Sequence, residues 1–158
     1  MTRPSYNKLN TKFSQARMVI EALSTDDDYK ITTKAAIEFK LRDLAKQGEV
    51  PREAILITID NLKELRKKHS PDIVNGKIRR VIRSPNQKNV LLRARWSTNQ
   101  LLVLLTHGEA EYIDRIRPIL KNEGIDARIS ATRFTRYVES DVRTLEVIAQ
   151  AHLEGYEV

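Results

Sequence analysis

An α+β fold is predicted by three observations on this 158-residue chain. Apolar residues recur at helical spacing before residue 70, three turn clusters punctuate residues 73–108, and helical and strand-like segments alternate beyond that point. The expected order is a three-helix N-terminal part, an antiparallel β-meander, and a split βαββα unit at the C-terminus. Residues 1–72 then form a helical domain and residues 73–158 a basic α+β domain.

The first helix is expected from Ser5, with Leu9, Phe13, Ala16, Ile20 and Leu23 three or four residues apart. Asp26, Asp27 and Asp28 interrupt that pattern and read as a solvated loop. A second helix is expected from Thr32 or Thr33 through Ile37, Leu41 and Leu44 to Gln47, ended by Gly48 in a left-handed conformation. Pro51 suits the first turn of a third helix, which would bury Ile55, Ile59 and Leu62 and expose Arg66, Lys67 and Lys68.

Across Leu44–Leu65 a small residue, Ala45, is followed by a short turn ending in apolar Val50, an inward aliphatic at Ile55 and a later Leu62. This segment resembles the helix-turn-helix of winged-helix DNA-binding proteins. The resemblance implies a DNA-binding core in the helical half and a wing built from the meander that follows.

The meander is where charge collects. Residues 73–108 hold Lys77, Arg79, Arg80, Arg83, Lys88, Arg93 and Arg95 and no Asp or Glu. The chain has 28 Lys and Arg against 21 Asp and Glu, so these seven account for the whole net charge of +7. Asn75-Gly76 is a favoured two-residue hairpin turn, and Pro85-Asn86-Gln87 and Ser97-Thr98-Asn99-Gln100 are further turn clusters. Three strands are therefore expected, at 77–83, 90–96 and 101–107. Alternation would set Arg79, Arg83, Arg93 and Arg95 on one face, with Val90, Leu92, Ala94 and Trp96 on the core side of the middle strand. Leu101–Leu105, apolar throughout, belongs at the covered centre of the sheet.

A helix is expected from Glu109 to about Glu123, with Ile113, Ile116 and Leu120 inward, Gly124 after its end, and a kink or restart at Pro118. The runs IDARISA and TRFTRYV read as strands, and Ser140 as the cap of a last helix. That order fits a ferredoxin-like or double-wing unit.

An acid-free display of arginines seeks a polyanion, because the guanidinium forks onto phosphate. The expected function is that of a nucleic-acid-binding protein, a small DNA-binding regulator of transcription or accessory factor. Lys77, Arg79, Arg80, Arg83, Lys88, Arg93 and Arg95 would contact the phosphate backbone, joined by Arg66, Lys67 and Lys68, with DNA favoured over RNA. Alternatives are an RNA-binding protein, or an interaction module docking an acidic protein partner or the chain's own Asp26–Asp28 segment. A homodimer is a further alternative. A divergent nuclease using His107 with Glu109 or Glu111 ranks last, because these residues read as a helix start with first-turn acids.

No catalytic motif, cofactor or metal site is expected. His69, His107 and His152 are scattered, and phosphate-binding loops and nucleophile elbows are missing. With no cysteine there is no disulfide or thiolate site. The longest aliphatic run, Leu101–Leu105, is too short for a membrane span and no charged-then-apolar leader opens the chain, so a cytoplasmic location is expected, with nucleoid association or viral origin as variants.

Overall fold

The computed structural model describes residues 25–85 and 87–133. In chain order these form β1 (Thr32–Thr33), a 3-10 turn (Lys34–Ala36), α1 (Ile37–Lys46), β2 (Glu53–Ile59), α2 (Leu62–Lys68), α3 (Pro71–Arg83), β3 (Val90–Ser97), β4 (Gln100–Leu105), α4 (Glu109–Asn122) and β5 (Ala127–Arg133). The strands make one five-stranded sheet in the order β1-β3-β4-β2-β5. Only the β1–β3 pairing is parallel.

The apolar run in β4 becomes the middle strand and is buried along its whole length. Strand alternation divides it between two cores. Leu101, Val103 and Leu105 join Ile55, Ile57 and Ile59 of β2 under α2, α3 and α4, and Leu102 and Leu104 join Ala54 and Leu56 against Ile37 and Leu41 of α1. Trp96 lies in the second core, as the sequence predicts. A bulge between Val90 and Leu92 breaks the alternation of β3, so Val90 packs against the first core and not beside Leu92.

The three-helix, helix-turn-helix-like half does not form as expected. Its proposed third helix is strand β2, all seven residues of which are buried. Ile55 and Ile59 are four apart, which suggested a helix. Ile57 between them points the same way, and β-branched Ile and Thr suit a strand covered on both faces. Leu44–Leu65 therefore runs from helix through loop and strand into a second helix.

The expected first strand of the meander is also wrong. Residues 77–83 belong to α3, which starts with Ser70 as its cap, accepting from Ile73 N at 3.4 Å, and Pro71 in its first turn. Val74, Ile78, Val81 and Ile82 form its buried stripe, and Asn75-Gly76 is absorbed inside the helix. Residue 72 and residue 73 both lie within it. Of the three turn clusters only Ser97–Gln100 joins paired strands.

Elsewhere most expectations match, but Thr32 and Thr33, expected to start the second helix, form strand β1, and α1 begins only at Ile37. α1 ends before Gly48 at φ +77°, and β3, β4 and α4 occupy the expected stretches. α4 continues through Pro118 and is followed by Gly124 at φ +71°. The first helix from Ser5, the TRFTRYV strand beyond Arg133 and the helix from Ser140 fall outside the described residues. Among the described residues no helix is long and apolar enough to cross a membrane.

Candidate functional site

The expected phosphate-binding face is not assembled. Its residues are divided among α3, the link to β3, and β3 itself, and most are engaged by the protein's own acceptors. Arg79 donates to Asp28 O and Arg83 to Lys30 O, each at 2.9 Å. Arg93 donates to Ile82 O at 2.9 Å and Pro85 O at 3.0 Å. Lys77 and Arg80 converge on Glu123, each 3.5 Å from its Oε2. The hydrogen bond from Arg80 is the main reason the Glu123 carboxyl is held below its usual range. Lys88 is exposed, as are Arg66, Lys67 and Lys68 at the end of α2, where Arg66 reaches the Tyr29 side chain on which Arg95 lies.

Arg95 shows why charge counting along the sequence misled. Its Nη1 donates to Asp26 at 3.0 Å and Asp28 at 2.9 Å, and its guanidinium lies 4.4 Å from the centre of the Tyr29 ring. Burial opposes charge on Arg95, but the hydrogen bonds to Asp26 and Asp28 outweigh it and raise its pKa. The acidic run is accordingly no solvated loop. Asp26 also accepts from Tyr29 N at 2.8 Å and its side chain is 15% exposed. Tyr29 is buried, and burial pushes its phenol up against the pull of Arg95.

At the same end of the sheet, β2 and the β3–β4 hairpin build a second polar assembly. Ser97 Oγ donates to Gln100 Oε1 at 2.9 Å, and Gln100 Nε2 donates to Thr58 Oγ1 at 3.4 Å. Asn99 closes the turn onto β2, accepting from Ile59 N at 2.8 Å through its carbonyl and donating to Ile59 O at 3.2 Å through its amide. Thr58 and Gln100 are buried and neutral. Beyond them Arg128 grips Asp60 with contacts of 3.0–3.1 Å, and Asn61 links Gly124 O to Asp126 N, at 2.9 Å each. The hairpin, Ser97 to Gln100, thus offers hydroxyls and amides but no ionisable group. Such a surface can recognise a ligand by hydrogen bonds. The four hairpin residues supply no carboxylate to hold a divalent cation or take up a proton, and the nearest ones, Asp60, Asp26 and Asp28, are each held by an arginine. Sequence reasoning treated 97–100 as a turn only; its four consecutive polar, uncharged residues were the available signal.

The nuclease alternative at the opposite end fails on geometry. His107 is exposed and its ring contacts Thr106 at 2.9 Å. Glu109 is held by Arg133 at 3.0 Å and Glu111 by Arg115 at 2.7 Å. Glu53 accepts from Glu109 N at 2.9 Å, and burial, followed by the charge of Glu53, pushes the Glu109 carboxyl up. Among the described residues no group of three or more His, Asp or Glu could hold a metal ion.

No protein-family model matches the sequence, and no curated protein does. Solved structures do. The Vibrio cholerae LapD S helix-GGDEF-EAL protein, bound to c-di-GMP, is 14% identical with a TM-score of 0.61, covering 92% of this chain and 38% of that one. A microbial GGDEF domain studied for its interaction with c-di-GMP is 16% identical, TM-score 0.59, covering 88% of this chain and 96% of that one. The GGDEF domain of DgcB from Caulobacter crescentus, in complex with c-di-GMP, is 13% identical, TM-score 0.57, covering 85% and 92%. The chain thus spans 38% of the LapD S helix-GGDEF-EAL chain and nearly all of the two isolated domains.

At these identities the likeness is one of fold. It overturns the winged-helix resemblance and with it the DNA-binding, RNA-binding and transcription-regulator expectations, since these neighbours are or contain GGDEF domains, two of them solved as such with c-di-GMP. The apolar spacing of Leu44–Leu65 arises from strand β2 between two helices, and the basic window was counted without the acids that fold onto it. Of the interaction-module alternative, the contact with the chain's own Asp26–Asp28 segment is present at Arg95, and the acidic-partner reading falls because those acids are the chain's own.

Proposed function

We propose that this chain works in c-di-GMP signalling as a GGDEF-like domain that recognises the dinucleotide without synthesising it. The observation that carries this reading is the fold likeness, over most of the chain, to GGDEF domains solved with c-di-GMP. Two features of the chain support the non-catalytic half. The run Gly-Gly-Asp-Glu-Phe, which the name GGDEF spells, occurs nowhere in a sequence without two adjacent glycines. The hairpin, with Thr58 behind it, presents hydroxyls and amides instead of carboxylates. Joining nucleotides through phosphodiester bonds calls for a divalent cation to activate the attacking hydroxyl and offset charge on the phosphates. Neutral amides and hydroxyls are poor ligands for that ion.

The test is calorimetric titration of the chain with c-di-GMP, together with incubation in GTP and Mg2+ followed by chromatography. Expected are binding with a Kd on the order of 1 μM, about −8 kcal/mol, and no formation of c-di-GMP. A flat titration overturns the recognition reading, and accumulation of c-di-GMP overturns the non-catalytic one.

A further inference from the structure

A cavity of about 320 Å³ opens at the edge of the sheet, between the loop before β1, the end of α3 and the start of β3. We propose that it binds a small phosphate-bearing ligand. The inference rests on the charge and shape of the cavity and not on the likeness to GGDEF domains.

Among the described residues three cations line the cavity, Lys30, Arg83 and Arg93, and no carboxylate does. Of the acids nearest in sequence, Asp26 and Asp28 are drawn to Arg95, and Asp27 is exposed and not part of the lining. Among the described residues the ion pairs of the basic window belong to Lys77, Arg80 and Arg95, which leaves Lys30, Arg83 and Arg93 without an acidic partner. Three like charges around one cavity repel each other, and an anion between them removes that repulsion.

The two arginines are held in place before any ligand arrives. Arg83 spends one donor on Lys30 O, and Arg93 spends two on Ile82 O and Pro85 O. A guanidinium has five N–H donors, so both keep capacity for phosphate oxygens. Arg93 lies against the buried Tyr112, whose phenol is pushed up to about 12 by burial in spite of the Arg93 charge. Lys30 occupies the left-handed region at φ 58°, unusual for a residue with a side chain, and its N–H donates to Asp26 O at 2.9 Å. That turn is what brings Lys30 to the cavity beside Arg83.

The remaining lining sorts the ligand further. Ile31, Leu91 and Leu92 supply an apolar wall, and Thr32 a hydroxyl beside it. A mixed wall of this kind favours a phosphate ester with an organic moiety over inorganic phosphate, and the volume lies at the small end for small-molecule sites.

The full chain is titrated calorimetrically with three probes: c-di-GMP, GTP and inorganic phosphate. Each is run at low and high salt, and Lys30→Gln and Leu91→Glu are compared with the distant control Arg115→Gln. At least one nucleotide is expected to bind, more weakly at high salt. Lys30→Gln should weaken it about five- to tenfold, Leu91→Glu should abolish it by placing a carboxylate in the cavity, and Arg115→Gln should leave it unchanged. Should Leu91→Glu fail to fold by circular dichroism, Lys30→Gln and the salt series decide. Binding of c-di-GMP that ignores Lys30→Gln and Leu91→Glu overturns the cavity assignment and leaves the signalling reading standing. GTP binding that is sensitive to both variants, with no c-di-GMP binding, does the reverse. No binding of any probe overturns both.

Discussion

Arg95 Nη1 lies 3.0 Å from Asp26 Oδ1, joining strand β3 to a loop 69 residues earlier in the chain. The pair ties the edge of the sheet to the segment that leads into it, with Asp28 and the Tyr29 ring completing the clasp. Arg95→Ala leaves two carboxylates without their partner. Because the Arg95 side chain is 18% exposed, the cost falls between that of buried and surface pairs. Urea denaturation should show a loss of about 2 kcal/mol. Arg95→Lys keeps the charge but not the fork and should lose roughly half as much.

Glu109 makes stability depend on pH in one direction. Burial and the charge of Glu53 raise its pKa in the folded state, so the folded protein holds this proton more tightly than the unfolded chain. The resulting stabilisation is complete below the ordinary Glu range and disappears as pH rises through the raised value. Glu109→Gln should flatten the decline in melting temperature across that window, and an unchanged slope would refute the assignment.

Glu123 works in the opposite sense. Hydrogen bonding from Arg80, with the charges of Arg80 and Lys77, lowers its pKa. Its contribution is present above the ordinary Glu range and is lost as pH falls through the lowered value. Melting curves of Glu123→Gln should therefore converge with those of the parent protein in acid.

Two glycines with positive φ separate backbone strain from crowding. A Cβ on Gly48, at φ +77°, meets open space, so Gly48→Ala should cost only the left-handed conformation, about 1 kcal/mol. On Gly108, at φ +82°, a Cβ would lie 2.5 Å from Asn89 Nδ2, whose amide donates to His107 O. Gly108→Ala should show the larger fall in thermal melting, and equal falls would mean that Asn89 yields freely.

The double core gives a packing contrast. Leu104 is fully buried on the central strand, and Leu104→Ala should cost about 3 kcal/mol in denaturant titrations. Phe39 on α1 is 55% exposed, and Phe39→Ala should stay within about 0.5 kcal/mol.

By itself the sequence determined the elements whose pattern is local: α1 with its glycine stop, the apolar central strand, the Ser97–Gln100 hairpin, α4, and the burial of Trp96. These depend on side chains a few residues apart, and periodicity and turn chemistry record them directly. Tertiary structure alone decided that Ile55–Ile59 is a strand, because a run covered on both faces has no single period that distinguishes it from a buried helix. It alone decided where the charges went. Asp26 and Asp28 reach Arg95, and Glu123 reaches Lys77 and Arg80, across 43–69 residues. Coulomb attraction depends on distance through space, and distance along the chain carries little of that information.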